Sequence, residues 1–147
     1  MLGSSVTPLL LRAVVLIIVL LLASGIGLVL RRRAGRAREV PDGELLDAAD
    51  LAVSLGRRAT FVQFSSPTCH SCRSVRRVLS ELVAAEPDLV HVEIDASERL
   101  DLARRLGILR TPTVLLLNPG GVVVRRISGP ITPEQARVAV PETPRSR

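Results

Sequence analysis

The sequence predicts an α/β fold, a mixed β-sheet flanked by helices, preceded by one N-terminal transmembrane helix. Three observations indicate this. Residues 13–30 form a long apolar run without a charged residue, which suits a membrane span. From residue 44 onward, helix-like and strand-like patterns alternate, as they do in parallel β-α-β units. Two strand patterns near the C-terminus are separated only by Pro119-Gly120-Gly121, which predicts an antiparallel hairpin at one edge of the sheet.

The apolar run at residues 13–30 is the first predicted element. At about 1.5 Å per residue it spans about 27 Å, close to the thickness of the hydrocarbon core of a bilayer. Five Arg residues follow it between positions 31 and 38, against one Arg before it. Because an excess of Lys and Arg stays in the cytoplasm, the domain after the span is predicted to be cytoplasmic. A cleaved signal peptide is the competing interpretation, since Ala23-Ser24-Gly25 resembles a cleavage site.

The run divides the chain into five predicted segments. They are a short N-terminal tail at residues 1–12, the transmembrane helix at 13–30, a basic juxtamembrane linker at 31–43, a folded domain at 44–140 and a C-terminal tail at 141–147.

The net charge of +6 divides into +4 for residues 1–43 (six Arg, two acids) and +2 for the rest (fourteen Arg, twelve acids). Phe61 and Phe64 are the only aromatic residues. A nucleic-acid binder needs a basic face, often with stacking aromatics, so we expect no nucleic-acid partner.

Four helices are predicted in the folded domain from apolar spacing and from start and stop signals. They cover residues 44–55, 72–85, 97–107 and 132–140. Asp42 is available to cap the first helix, and Ser97 starts the third. Gly107 stops the third helix, and Pro141 stops the fourth. The second helix has the clearest apolar stripe, formed by Cys72, Val75, Leu79, Leu82 and Val83.

Four strands are predicted between these helices, at residues 60–66, 89–96, 113–118 and 122–128. A helix separates the first strand from the second, which predicts that these two strands pair in parallel. The last two strands form the hairpin. The predicted order of elements is therefore α-β-α-β-α-β-β-α.

Both cysteines lie in one motif, FSSPTCHSCRSV at Phe64–Val75. Metal sites, structural disulfides and redox pairs all use the CxxC spacing. A zinc site needs two further ligands, and the chain offers only His70 and His91, so we expect no metal unless two copies share one. Haem attachment requires His directly after the second cysteine, where Arg73 stands. One CxxC pair also cannot form a disulfide framework.

The predicted elements favour the redox pair. Cys69 follows a strand and a tight loop and lies at the predicted N-terminus of a helix. Unpaired N–H groups and the helix dipole stabilise a thiolate there, and Arg73 adds positive charge. Cys72 lies on the apolar stripe and is predicted to be more buried. This asymmetry suits attack by Cys69 on a disulfide, followed by resolution of the mixed disulfide by Cys72.

Residues 44–140 resemble the thioredoxin family. The resemblance rests on CxxC between strand and helix, on HVEIDA as the second strand, and on LGILRTPTVLLLNPGG, similar to the family segment that carries a cis-proline facing the cysteines. It implies a thioredoxin-like fold, a cis Thr111–Pro112 bond, catalysis by Cys69 and Cys72, and no cofactor. The implied partners are protein disulfides and an upstream reductant, and we expect a monomer. The implied substrate-binding residues are Thr68, His70, Ser71, Thr111, Pro112 and Gly129.

Three positions depart from the family pattern. Gln63 replaces the buried acid on the strand before the motif, so deprotonation of Cys72 has to use water or another group. Thr68 replaces the usual Trp, which makes the docking face less apolar. His70-Ser71 replaces Gly-Pro, and a protonated His beside the nucleophile favours the thiolate and a more oxidising couple.

These observations predict a membrane-tethered thiol–disulfide oxidoreductase of the cell membrane that reduces protein disulfides on the cytoplasmic side. Two alternatives stay open. One is the same chemistry on the extracytoplasmic side, in cytochrome maturation or on secreted-protein thiols. The other is a non-catalytic binding module of the same fold. Arg110, beside the groove, would favour acidic substrates in the catalytic cases.

Overall fold

The computed structural model describes residues 6–33, 38–39 and 43–141. The chain divides into two compact units, Met1–Arg33 and Ala34–Arg147. In the described residues, the first unit is one helix, and the second unit contains a β-sheet and four helices.

Helix α1 (Val6–Arg33) contains the predicted span at residues 13–30. Its segment Leu10–Leu28 is long and apolar enough to cross a membrane, and the side chains of that segment are all exposed. A helix that is apolar on every side needs apolar surroundings. Secretory signal sequences have a similar composition, so α1 fits both a membrane anchor and a signal sequence.

The second unit is a five-stranded mixed sheet with the strand order β1-β5-β4-β2-β3. The strands are β1 (Arg38–Glu39), β2 (Ala59–Ser65), β3 (Leu89–Asp95), β4 (Thr113–Leu117) and β5 (Val123–Ser128). The helices are α2 (Ala48–Leu51), α3 (Cys72–Ala85), α4 (Leu100–Arg105) and α5 (Pro133–Ala139). β2 and β3 pair in parallel, and the other neighbours are antiparallel. The predicted parallel pair and C-terminal hairpin are therefore confirmed.

The two faces of the sheet carry separate apolar clusters. On one face, Phe61 of β2 packs with Leu79 of α3. On the other face, Phe64 of β2 packs with Leu102 of α4, because side chains alternate across a strand. All seven residues of β2 are buried, so the strand that leads into the cysteine motif is anchored in the centre of the fold.

The first predicted helix of the domain, residues 44–55, is wrong in extent, since only the single turn of α2 is helical. The Asp47 side chain accepts a hydrogen bond from the Asp50 N–H at 2.8 Å and starts the helix there. Ala52, with φ of 56°, ends it. The predicted cap, Asp42, lies outside the described residues.

The third predicted helix, residues 97–107, starts later than predicted. Asp95 accepts hydrogen bonds from the N–H and the hydroxyl of Ser97, which holds a turn before α4 begins at Leu100. Gly107, predicted to stop this helix, follows its last turn with φ of 59°.

Strand β1 lies in the segment predicted as a linker, and no apolar pattern predicts it. It pairs with the outer edge of β5, with Arg38 opposite Arg126 and Glu39 opposite Arg125. Its backbone hydrogen bonds thereby cover part of an edge that would otherwise be unpaired.

Candidate active site

The two cysteines lie where β2 leads into α3. β2 ends at Ser65, and a turn follows in which the Cys69 N–H donates to the Ser66 carbonyl at 3.0 Å. α3 begins at Cys72. A disulfide joins Cys69 to Cys72, with an S–S distance of 2.02 Å and a Cα–Cα distance of 5.4 Å. The pair is therefore one site, held here in its oxidised form.

The Cys69 sulfur lies at the start of α3, although the Cys69 backbone precedes Cys72 by three residues. The Cys72 N–H donates to the Cys69 carbonyl at 3.4 Å, and the disulfide holds the Cys69 sulfur beside the first helical residue. The first N–H groups of a helix have no intrahelical acceptor, and the dipole is positive there. After reduction, this placement favours the Cys69 thiolate over the thiol.

The two cysteines differ in burial, as the sequence predicts. Cys72 is 3% exposed, whereas Cys69 is half-buried, and Arg73 beside them is exposed. Burial disfavours a charged sulfur. Cys69 is therefore the sulfur that a substrate can reach, and Cys72 is the covered partner.

Gln63 lies beneath the pair and is fully buried. Its Nε2 donates to the Cys72 carbonyl at 3.0 Å, and its Oε1 lies 3.2 Å from His91 Nε2. Because an amide oxygen only accepts, His91 Nε2 is the protonated nitrogen. Burial lowers the pKa of His91 below its ordinary value of 6.5, although the Glu93 charge opposes this. Where the family has a buried acid, this chain thus has an uncharged, hydrogen-bonded pair of Gln63 and His91.

A cavity of about 290 Å³ opens beside the disulfide. Both sulfur-bearing residues line it, together with Arg76 of α3 and Glu93 of β3. Arg76 holds Glu93 through two hydrogen bonds, one of them Nη2 to Oε1 at 2.8 Å. This contact holds the pKa of Glu93 below its ordinary value of 4.5, and a hydrogen bond from Ser65 adds to the effect.

Sequence reasoning missed Glu93 as a site residue. The signal is the alternation in HVEIDA, which places His91 and Glu93 on one face of β3. The parallel register sets them opposite Phe61 and Gln63, on the face covered by α3. Recognising this requires the pairing of β2 with β3, which the sequence suggests only indirectly.

The loop before β4 adjoins the cysteine turn. The Thr111–Pro112 peptide bond is cis, as the resemblance implies, and the hydroxyls of Thr111 and Ser66 are 3.0 Å apart. The Gly129 N–H donates to the Pro112 carbonyl at 2.8 Å, and Gly129 has φ of 95°. The structure therefore brings three of the implied groove residues to the same end of the sheet.

The other implied groove residues lie in the turn around the cysteines. Thr68 and His70 are exposed, and Ser71 is half-buried with its hydroxyl 3.9 Å from the Cys69 sulfur. Within residues 6–33, 38–39 and 43–141, no three His, Cys, Asp or Glu side chains form a group that suits a metal ion.

Comparison with known sequences gives a family for most of the chain. A family model described as a thioredoxin-like domain matches residues 45–141. NADPH-dependent thioredoxin reductase 3 of Arabidopsis thaliana is 37% identical over 73 residues, 49% of this chain and 14% of that protein. The thioredoxin of Methanocaldococcus jannaschii is 37% identical over 54 residues, 36% of this chain and 64% of that protein. The chain thus spans less than two thirds of the length of these curated relatives.

Solved structures give the same fold. A mutant thioredoxin from Halobacterium salinarum has a TM-score of 0.54 at 22% identity, over 70% of this chain and 92% of that chain. Oxidised mitochondrial thioredoxin 3 from Saccharomyces cerevisiae has a TM-score of 0.50 at 23% identity, over 57% of this chain and 77% of that chain. At these identities the likeness shows the fold alone, and the predicted mixed sheet flanked by helices is confirmed.

Proposed function

The chain belongs to the thioredoxin-like domain family, and from this premise we propose that it is a membrane-tethered thiol–disulfide oxidoreductase that reduces protein disulfides. The observation that carries the proposal is the asymmetric CxxC pair. Cys69 is the reachable sulfur at a helix start, and Cys72 is the buried sulfur bonded to it. That arrangement suits two successive thiol–disulfide exchanges.

The reaction begins when the Cys69 thiolate attacks one sulfur of a substrate disulfide. The substrate S–S bond breaks, one substrate sulfur leaves as a thiolate that takes up a proton, and a mixed disulfide forms. Cys72 then attacks the Cys69 sulfur. This releases the second substrate thiol and forms the Cys69–Cys72 disulfide, the state of the present structure. Two electrons pass to the substrate, and an upstream reductant returns them.

The substrate-binding groove is proposed to lie between the cysteine turn and the loop before β4. The Ser66–Thr111 contact supports this, because it sets the two segments side by side. An extended substrate can bind there through its backbone, as peptides bind at strand edges, which tolerates many sequences. Arg110 is exposed beside the groove and favours acidic residues near the substrate disulfide.

The activity is tested by reduction of insulin, with the full chain in detergent micelles and dithiothreitol as the electron source. We expect the wild type to accelerate reduction and Cys69→Ser to abolish the acceleration, because the attacking sulfur is gone. Cys72→Ser that has been reduced and then freed of dithiothreitol is expected to accumulate a mixed disulfide with insulin, seen as added mass, because it attacks but does not resolve. Equal, negligible activity of the wild type and Cys69→Ser indicates a binding module instead.

The tether is proposed to be the apolar helix at residues 13–30, with the folded domain in the cytoplasm and the chain a monomer. Length and composition support the span, and the five Arg residues that follow support the orientation. In cells, a reporter that works only in the cytoplasm, fused after Arg147, is expected to be active in the membrane fraction. Activity only of an exported reporter indicates the extracytoplasmic alternative, and loss of the N-terminal residues from the mature chain indicates a signal peptide.

A further inference from the structure

Beside Gln63, the neighbouring strand supplies a carboxylate. Glu93 is the register partner of Gln63 in the parallel β2–β3 pair, and it lines the cavity that contains both cysteines. We propose that Glu93 accepts the proton that Cys72 loses when it resolves the mixed disulfide. The proposal rests on the proposed function and assigns the proton transfer that Gln63 is unable to perform.

Two nearby groups are poor candidates for this role. The Gln63 amide is not a base at neutral pH, and both its ends are already engaged, by the Cys72 carbonyl and by His91. His91 does not line the cavity, and its Nε2 proton is directed to Gln63. Asp95 also lines the cavity and is held by Ser97 through its Oδ1; because Glu93 and not Asp95 is the register partner of Gln63, Asp95 serves as the control.

Glu93 is held in place yet keeps an acceptor site. A carboxylate has about four lone-pair positions, of which Arg76 occupies two. The Glu93 side chain is 21% exposed, and the neighbouring Arg76 charge keeps it ionised at neutral pH. At least one lone pair is thus free for a proton from the cavity.

The proposed step conserves atoms and charge. The Cys72 S–H proton moves to the Glu93 carboxylate, directly or through water, for which a cavity of about 290 Å³ has room. The sulfur electron pair of Cys72 forms the bond to Cys69, and the bond from Cys69 to the substrate sulfur breaks. The substrate leaves as a thiolate, and Glu93 returns the proton to it or to solvent.

The test separates the two exchanges in time. The reduced full chain, in detergent micelles, is mixed with 4,4′-dithiodipyridine in a stopped-flow instrument. One chromophore is released when Cys69 attacks and a second when Cys72 resolves. Glu93→Gln is expected to leave the first release unchanged and to slow the second by at least about tenfold, the lower side of typical acid–base effects.

The pH profile of the second release distinguishes proton transfer from a structural effect. In Glu93→Gln the rate is expected to follow ionisation of Cys72 and to rise about tenfold per pH unit below the pKa of Cys72; the wild-type rate rises less steeply. The charged groups that line the cavity are Arg73, Arg76, Glu93 and Asp95, and His91 lies on the same face of β3 as Glu93. Parallel profiles of the wild type and the variant overturn the proposal.

Three further variants sharpen the result. Arg76→Gln removes the ion pair but keeps the carboxylate as a stronger base, so the second release is expected at or above the wild-type rate. Asp95→Asn is expected to leave it unchanged. Gln63→Asp in the Glu93→Gln background restores a carboxylate nearby and is expected to recover the rate.

Two results overturn the role of Glu93 and leave the proposed function intact. One is a second release that Arg76→Gln slows as much as Glu93→Gln does. The other is a second release in Glu93→Gln as fast as in the wild type. Failure of the proposed function looks different, because the wild type then does not accelerate insulin reduction although both chromophores are still released.

Discussion

Among the single residues that depart from the family pattern, Gln63 changes the chemistry of the site most. Its identity and its position before the cysteines are readable from the sequence, and so is the loss of a proton acceptor. Its partners are not readable, because His91 lies on another strand and the Cys72 carbonyl lies at the start of α3. A buried amide is tolerated when both its oxygen and its nitrogen are hydrogen-bonded, whereas leaving either one without a partner lowers the stability of the fold.

The Gln63–His91 contact predicts a measurable coupling. His91→Leu leaves the buried Gln63 Oε1 without its partner, and Gln63→Leu removes the partner of half-buried His91 and a donor to the Cys72 carbonyl; an unsatisfied group costs about 1–3 kcal/mol of unfolding free energy. The double variant is expected to lose less than the sum, with a coupling of about 0.5–3 kcal/mol. Urea unfolding of the oxidised full chain measures it by circular dichroism, since the chain has no Trp or Tyr. Strict additivity means that the two side chains do not interact.

Among the elements, α3 and α2 show why one helix is predictable and another is not. The apolar stripe of α3 agrees with its packing, since Cys72, Val75, Leu79 and Leu82 are all buried. The segment before β2 has a similar spacing, but local side-chain bonds decide its structure. The reciprocal Asp47–Asp50 cap starts α2 late, and Leu45 is drawn into a bridge with Val122. Apolar spacing alone does not predict that the Asp47–Asp50 cap and the Leu45–Val122 bridge prevail over a longer helix.

Strand β1 is unpredictable for a different reason. Its two residues are charged, and β-propensity depends on context. It forms because β5 offers an edge, and that edge exists only once the hairpin has folded. The groove residues Thr111 and Gly129 depend on the same hairpin, so the family resemblance, rather than local pattern, located them.

The turn of that hairpin predicts a difference between adjacent glycines. Gly121 has φ of 83°, and an added Cβ would lie 2.3 Å from the Leu46 carbonyl oxygen. The left-handed conformation alone costs about 1–2 kcal/mol for a residue with a Cβ, so Gly121→Ala is expected to destabilise by about 2 kcal/mol or more. Gly120→Ala meets only the Asn118 side chain at 3.3 Å and is expected to stay within about 0.5 kcal/mol. Urea unfolding of both variants measures the difference, and equal effects contradict it.

At the scale of the whole molecule, the two units differ in how their apolar residues are used. The sheet unit buries two clusters, whereas the apolar side chains of Leu10–Leu28 are exposed. The sequence shows this division directly, because a continuous apolar run and an alternating pattern differ in composition. The distribution of charge separates the units too, since most of the net positive charge precedes residue 44 and the sheet unit is close to neutral.

In that near-neutral unit, acid acts through His91 and through carboxylates whose pKa is lowered, which are Glu93, Asp50, Asp95 and Asp101. Burial lowers the pKa of His91 from 6.5, so the unfolded chain takes up this proton at a higher pH than the folded chain. Arg76 lowers the pKa of Glu93 from 4.5, and the unfolded chain again takes up the proton first. In both cases unfolding binds a proton, so stability falls as the pH falls.

The whole chain is therefore expected to lose stability in two stages on acidification. The free energy of unfolding should be nearly constant between pH 7 and 8 and decline below about pH 6.5 as His91 titrates. It should decline again below about pH 4.5 as Glu93 titrates, joined at lower pH by Asp50, Asp95 and Asp101. Each proton contributes at most about 1.4 kcal/mol per pH unit. His91→Gln keeps a donor for Gln63 but does not titrate, so it should remove the first stage and keep the second. Urea unfolding of the oxidised chain in micelles from pH 4 to 8 measures both. If His91→Gln and the wild type lose the same stability between pH 7 and 5.5, the first stage belongs to another group, because this substitution removes the titration of His91 while it keeps a donor to Gln63.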